Sequence, residues 1–424
     1  MADCQFLGLP FLEFKFIFVG IIGTIIAIIS AVENLLLFIT FMISKKLKQR
    51  DLTYLTTLSV LDICVAVSYI DIMSIQIYAE YFKNYPLFVF WHNWLKESFT
   101  VSNITLSSGS FILIAATFER YLQTKSNSQW KYFLKRMHKY KKLIVCLCIF
   151  LGILFRGTIY FEIDIRHDKK CIGFSGWSVA LSNLSQNEIY SVYWRFWIRR
   201  IATIFGPFFI LTFCNLSIIY HLRKHFEEEN LKKMLTVDYT SSQSIDLLSH
   251  RLRIRAMTRS LIMVVSCYLW ANIIDVVVAF WEYINVESLK SLPGFYTVAS
   301  DISSVLPVLA SAVRLIIYSI NDVVIKNEVR KTLKKIISIF FPCLKINIEN
   351  ESLNINNSFL NNSFTANIKN NLVAVCVGNE NAHNIISPVE KKSNSKNEEI
   401  IKNEEIDIIE LIHQNKKFER KRLI

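Results

Sequence analysis

Long apolar runs alternate with short polar stretches along most of this chain. Phe16–Ile43 carries only Glu33 and Asn34 as strongly polar residues. Tyr54–Tyr78, Ser98–Tyr121, Leu143–Phe161, Phe196–Tyr220, Leu261–Trp281 and Phe295–Ile320 follow it. Each run is about 20 residues or longer, enough to cross ~30 Å of hydrocarbon as a helix. The pattern predicts an all-α membrane protein, a seven-transmembrane helix bundle. The third run is the least apolar, with Ser102, Asn103, Thr105, Ser107, Ser108 and Ser110. A helix that polar must face protein or a water-filled cavity rather than lipid. After the last run, Val323, Val324, Val329, Leu333, Ile336 and Ile337 alternate with Lys326, Arg330, Lys331, Lys334 and Lys335. That spacing predicts a C-terminal amphipathic helix on the inner membrane surface, in contact with membrane lipid.

Four parts result: an outer N-terminus over 1–15, the bundle over 16–320, the amphipathic helix over 321–343 and a tail over 344–424. The tail is rich in Asn, Lys, Ser, Glu and Ile without a helical period across most of its length, and reads as disordered. No internal repeat is evident.

Composition agrees with a membrane chain. Of 424 residues 52% are hydrophobic and 20% charged, with mean hydropathy +0.33, too apolar for a soluble protein with one ordinary core. The formal charge of +13 is distributed by topology. Lys45, Lys46, Lys48 and Arg50 follow the first run, seven basic residues from Lys125 to Lys142 follow the third, and Arg223 to Arg259 carries more after the fifth. Alternate loops carry fewer. The positive-inside rule then places the N-terminus outside and the C-terminus in the cytoplasm of a multi-pass plasma-membrane protein. Basic clusters that flank membrane spans argue against nucleic-acid binding. The first 15 residues lack a basic leader region, and the first run is long enough to be a span, so no cleavable signal peptide is expected.

Nine cysteines form no framework. Cys64, Cys146, Cys148, Cys214 and Cys267 fall within predicted spans, where a small buried hydrophobe is the plain reading. Cys343 and Cys376 are cytoplasmic, and only Cys4 and Cys171 face outside. No spacing suggests a metal site, the histidines lack ligand spacing, and no Gly-rich phosphate loop follows a strand. Neither enzyme activity nor a cofactor is expected. Asn183-Leu184-Ser185 is the one sequon in a predicted outer loop, so Asn183 is a candidate for N-glycosylation.

Glu119-Arg120-Tyr121 closes the third run just before a basic segment. Asn34 lies in the first run and Asp62 in the second. Pro207 sits in Phe205-Gly206-Pro207-Phe208-Phe209, Cys267 in the sixth run, and Tyr318 ends the seventh. In this order the landmarks resemble the rhodopsin-like, or family A, G-protein-coupled receptors over roughly residues 16–342. The resemblance implies a switch made of Glu119, Arg120, Tyr121 and Tyr318, and a buried polar core around Asn34 and Asp62. It implies a heterotrimeric G protein as partner, with arrestin and a receptor kinase at the tail. In such a resting bundle Glu119 neutralises Arg120.

The departures from the family are specific. The seventh span ends Arg314-Leu315-Ile316-Ile317-Tyr318 where the family has Asn-Pro-x-x-Tyr, so Arg314 faces Asp62 where the family places an amide. Either the two pair, because an unmatched charge in the membrane is expensive, or Arg314 snorkels inward and Asp62 is protonated. Leu95 stands about where the family's outer disulfide needs a cysteine. Cys171 therefore lacks its usual partner, and a Cys4–Cys171 bond is the expectation, with two free thiols as the alternative. Cys343, beside Phe340, Phe341 and Pro342, is a candidate for S-palmitoylation. These departures look like those of divergent nematode neuropeptide and orphan receptors.

The ligand reading follows from the outer half. Amine receptors carry an aspartate about where Ser102 stands, so a biogenic amine is not expected. Both signs of charge and many aromatics crowd the mouth, which suits a short peptide, although Trp and Tyr there also serve an interfacial belt. Ser102, Arg199, Trp270, Asn272, Asp275 and Asp301 are the candidate pocket residues. Asp275 or Asp301 would hold the guanidinium of an amidated, FMRFamide-like neuropeptide. The alternatives are a nematode chemosensory receptor for a small molecule and, more remotely, a transporter or channel. Internal symmetry of polar half-helices, the sign of a transporter, is not evident.

Overall fold

A computed structural model describes residues 4, 6, 8–124, 128–235, 242–284 and 293–340, with the side chains of 225–255, 283, 293, 339 and 340 left aside. Cys343 and the tail lie outside the described residues. Among the described residues, seven helices are long and apolar enough to cross a membrane. They are α1 Leu12–Ile43, α2 Thr53–Tyr81, α3 Tyr85–Thr124, α4 Lys141–Glu162, α5 Tyr190–Lys224, α6 Ala256–Glu282 and α7 Gly294–Asn321. An eighth helix, α8 Val323–Phe340, follows directly. The end of the bundle holding the N-terminus is called upper here, and the end holding α8 lower.

α1 starts at Leu12, earlier than the Phe16 expected from hydropathy. The reason is Lys15, whose ammonium is buried and paired with Asp301 of α7 at 3.2 Å. A neutralised lysine no longer opposes helix inside an apolar layer.

Between lipid-facing helices there is little hydrophobic drive, so close packing and polar contacts hold them together. α4 illustrates this. Gly152 is buried against α3, where a Cβ would collide with the Ser108 hydroxyl and stand 3.1 Å from the Ile104 carbonyl oxygen. Without a side chain at 152 the two backbones come close. Arg156, one turn onward on the same face of α4, then reaches Asn103 of α3. The polar run of α3 turns inward, with Thr105, Ser107, Ser108 and Ser110 all buried. Two of these hydroxyls return to the helix's own carbonyls, Thr105 to Val101 at 2.9 Å and Ser110 to Ser107 at 2.8 Å, while the Ser108 hydroxyl is buried without a partner.

α1 and α7 are joined by polar groups. The Ser30 and Ser311 hydroxyls lie 2.6 Å apart, and Asn34 Nδ2 donates to the carbonyls of Ser30 and Ser311 at 2.9 and 3.3 Å. The regular winding of α7 is interrupted at Val313, immediately before Arg314.

The sequence pattern does not foresee the two strands of the loop between α4 and α5. β1 Ile163–His167 pairs antiparallel with β2 Trp177–Leu181, Ile163 opposite Leu181 and His167 opposite Trp177. Five-residue strands with only partial alternation leave a weak signal. Cys171, in the hairpin's connection, is disulfide-bonded to Cys4. Phe6 packs against Phe88 and Phe174, so the N-terminal segment crosses the upper end of α3.

α8 begins where Asp322 caps it, its carboxylate accepting from the backbone N–H of Val324 and Ile325 at 2.9 and 3.3 Å. Ile325, Val329 and Thr332 are buried, while the basic residues stay exposed.

Candidate functional site

A polar cavity of about 290 Å3 lies inside the bundle. Asp62 of α2, Asn103 of α3, Arg156 of α4, Thr203 of α5, Asn272 and Asp275 of α6, and Arg314 of α7 all line it. Every spanning helix except α1 contributes.

At its floor the Arg314 guanidinium donates to the Asp62 carboxylate, both side chains 8% exposed. Arg314 of α7 thus faces the acid of α2. Tyr318, one turn beyond Arg314, is buried below the pair.

Higher up stands Arg156, which is not among the pocket residues expected from the sequence. One of its terminal nitrogens donates to Asn103 Oδ1 at 3.2 Å and the other to Thr203 Oγ1 at 2.7 Å. Its Nε is buried without a partner. Across the cavity, Asp275 accepts a hydrogen bond from Ser303 of α7. No ion pair joins Arg156 and Asp275 among the described residues, yet both line the cavity. Two opposite charges, each held by neutral groups, leave room for a ligand between them. The signal for Arg156 was a single cation inside an apolar run, itself a functional hint.

The structure brings together only part of the expected pocket. Asn272 lines the cavity, its Nδ2 donating to the Tyr268 carbonyl at 2.7 Å. Trp270 does not: it is 73% exposed on the outer face of α6. Tyr268, Asn272 and Asp275 recur at i, i+4 and i+7, so a residue two positions past Tyr268 points away. Asp301 is turned to α1, where Lys15 takes it, and is not in the cavity wall. Arg199 is also absent from the wall. It is buried against Glu162 in a two-pronged contact of 2.5 and 3.0 Å, with the Tyr190 hydroxyl donating to the same carboxylate at 2.7 Å. That cluster fastens the top of α4 to α5. Ser102 is half-buried beside the lining residues Asn103 and Leu106, and its carbonyl accepts from Thr105.

At the lower end a smaller cavity of about 40 Å3 is lined by Glu119, Arg120, Lys141, Met257, Tyr318 and Asp322, among others. Glu119 does not neutralise Arg120 directly. Its carboxylate lies 3.4 Å from Lys141 Nζ and 3.7 Å from the His138 ring. Adjacent helical residues diverge by about 100° and do not face each other. Arg120 donates instead to Gln123 at 2.8 Å. Tyr121 stacks beside Phe118 and meets Phe213 of α5. Lys141 also reaches Asp51 at 3.1 Å, and Arg50 pairs with Asp322 at 2.7 Å. An ionic chain therefore ties α3, α4, the first lower loop and α8.

At the upper end Asn183 is exposed at the start of a short helix, Asn183–Gln186, while Ser185 is buried and donates to the Glu162 carbonyl at 3.3 Å. Among the described residues, no group of three or more potential ligands could hold a metal ion.

No protein-family model and no curated protein matches the chain. Among solved structures it is similar to the crystal structure of squid rhodopsin, at 15% identity and a TM-score of 0.54. The match covers 79% of this chain and 89% of that one. The chain therefore has the rhodopsin-like seven-helix fold, that of a multi-pass membrane protein.

Proposed function

We propose that this chain is a G-protein-coupled receptor of the rhodopsin-like class, with its upper end outside the cell and its lower end facing the cytoplasm. The observation that carries the reading is the pair of cavities. α2, α3, α4, α6 and α7 each contribute to both, so a ligand that shifts α6 above must also alter the wall around Arg120 and Tyr318 below. In the lower cavity Arg120 is available to backbone carbonyls of an inserted G-protein segment once the helices part. The basic residues of the lower loops support the orientation.

The ligand proposed is a short amidated neuropeptide of the FMRFamide-like kind, as in divergent nematode receptors. Its terminal guanidinium would reach Asp275, and its amide would reach Asn272. Arg156, through its unpartnered Nε, would take a peptide carbonyl. A volume of about 290 Å3 holds the end of a peptide rather than all of it, the remainder lying against the hairpin and N-terminal segment. The same small volume favours a second reading, a chemosensory receptor for a small bipolar molecule. Arrestin and a receptor kinase would act on the tail, and a palmitoyl group on Cys343 would add an anchor to α8.

The test is a G-protein activation assay in cells against a library of amidated neuropeptides and small zwitterions. An agonist should lose at least tenfold in potency in Asp275→Ala at equal surface expression, about 2–5 kcal/mol of binding. Asp301→Ala should not shift potency by that much. Unchanged potency in Asp275→Ala, or an uncharged agonist, removes the pocket assignment. Full signalling by Arg120→Ala removes the proposed switch.

A further inference from the structure

We propose that a groove at the lower end, between the first lower loop and α8, binds the multiply phosphorylated headgroup of an anionic membrane lipid. The groove encloses about 520 Å3. Lys46, Arg50, Arg330, Lys331 and Lys334 line it, with Glu328 as its one carboxylate.

The ion pairs within the groove decide what charge it is short of. Arg50 is committed to Asp322 at 2.7 Å. Lys331 is committed to Glu328 at 2.9 Å, and Glu328 also accepts from the Ser44 hydroxyl at 2.8 Å. Lys46, Arg330 and Lys334 make no ion pair within 4.0 Å among the described residues, although Lys46 shares the field of Glu328 with Lys331. They converge on one cavity from two segments of chain, which the folded structure holds in place through Arg50–Asp322 and Ser44–Glu328. Like charges held together repel, and the repulsion is relieved by a counterion of matching valence. A headgroup with a single net charge, such as that of phosphatidylserine, answers only one of the three. A phosphatidylinositol bisphosphate, with several phosphate oxygens on one ring, can meet all three with charge-assisted hydrogen bonds.

The surroundings favour a lipid over a free phosphate. Ile43 at the end of α1, Ile320 at the end of α7 and Val323, next in sequence to the lining residue Val324, are all exposed apolar residues. They offer the acyl chains a hydrocarbon surface continuous with the spans, while the headgroup occupies the basic groove.

The proposal does not depend on the ligand or on signalling, and the full-length chain tests it directly. Purified protein in neutral detergent–phosphatidylcholine micelles is titrated with fluorescent phosphatidylinositol bisphosphate, with phosphatidylserine at equal total charge, and with soluble inositol trisphosphate. The triple variant Lys46→Gln, Arg330→Gln, Lys334→Gln is compared with Lys45→Gln, Lys326→Gln, Lys335→Gln, which removes the same charge outside the groove. Thermal unfolding checks that both variants are folded. The groove triple should lose at least tenfold in affinity for phosphatidylinositol bisphosphate, and the control triple should lose less than threefold. Equal losses in both triples, or equal binding of phosphatidylserine, would reduce the effect to general charge and overturn the site. Inositol trisphosphate binding as tightly as the lipid would overturn the lipid assignment.

Discussion

The Asp62–Arg314 pair gives the sharpest prediction, because its two members fail differently when separated. Both line the central cavity, and each side chain is 8% exposed. Asp62→Asn leaves Arg314 inside the bundle with no carboxylate. A guanidinium cannot shed its charge under any physiological condition. Breaking a buried pair in this way costs roughly 3–5 kcal/mol. Water in the cavity can solvate part of the stranded charge, which places the expected loss near the lower figure, about 3 kcal/mol. Arg314→Gln strands Asp62 instead, and that carboxyl can take up a proton. Doing so at pH 7 costs about 4 kcal/mol for a group of ordinary acidity, which sets a ceiling on the damage. The ceiling falls by ~1.4 kcal/mol for each unit the pH is lowered. Arg314→Gln should therefore regain stability between pH 7 and pH 5.5, whereas Asp62→Asn should not. The double variant has no charge to strand and should recover most of either loss. The assay is thermal unfolding of the detergent-solubilised protein at the two pH values, alongside surface expression. Additive losses in the double variant, or the same pH response in both single variants, would show that the two residues do not act as a pair.

Other expectations can be checked separately. Lys141→Met should destabilise the lower end by about 3 kcal/mol, since it leaves the buried Glu119 with only His138, and thermal unfolding without a shift would refute it. Burial works against the charge of Asp51, but the Thr53 hydroxyl and Lys141 outweigh it and hold its carboxyl below the ordinary range. That contribution is present above the unfolded carboxyl's pKa near 4 and is lost as the pH falls through the lower folded value, and it should be smaller in Lys141→Met, which keeps only the Thr53 hydrogen bond and His138. Glycosidase treatment should increase the gel mobility of wild type and leave Asn183→Gln unchanged, and a glycan on Asn356 would reverse the proposed topology. Cys4 and Cys171 should resist thiol labelling on intact cells until a reductant is added, and labelling of both without reductant would exclude their bond.

Much of the fold is legible in the hydropathy pattern, because an apolar layer demands long runs of one kind and the runs are counted easily. The Asp62–Arg314 pairing is legible for the same reason: two charges inside spans have few places to go. Rotation and tilt are not legible. Asp301 and Asp275 both sit in the upper half of a helix, yet one faces Lys15 and the other the cavity. Hydropathy alone starts α1 at Phe16 and leaves out Lys15, the residue that takes Asp301. Trp270 stands among the expected pocket residues, while the period of Tyr268, Asn272 and Asp275 turns it outward. The resemblance makes Glu119 and Arg120 partners, whereas adjacency on a helix separates their side chains and Glu119 turns to Lys141 and His138. Arg156 was hidden in plain view, a single charge inside an apolar run, and the close approach permitted by Gly152 is what brings it to Asn103.

The arrangement also limits how a ligand could drive the lower end. A ligand shifts a two-state equilibrium only by its difference in affinity for the two states. Moving a receptor from about 1:99 to 99:1 needs roughly 5.5 kcal/mol of such difference. One buried charge contact at Asp275 supplies about 2–5 kcal/mol in total, and some of that is present in both states. Asp275 is held by Ser303 of α7, and Arg156 by Asn103 of α3 and Thr203 of α5. A ligand that engages both charges therefore links α6 to α3, α4 and α5 at one level of the bundle. From Asp275 to Met257, at the lower cavity, is roughly 27 Å along α6, so a small tilt above becomes a larger displacement beside Arg120. Two contacts on opposite sides of the cavity can make that tilt favourable where one cannot. Agonists cut back to the group that meets Asp275 should then bind with reduced efficacy, and Arg156→Gln should lower the maximal response to a full agonist more than it lowers binding. A maximal response unaltered in Arg156→Gln would mean that the second contact is not part of the switch.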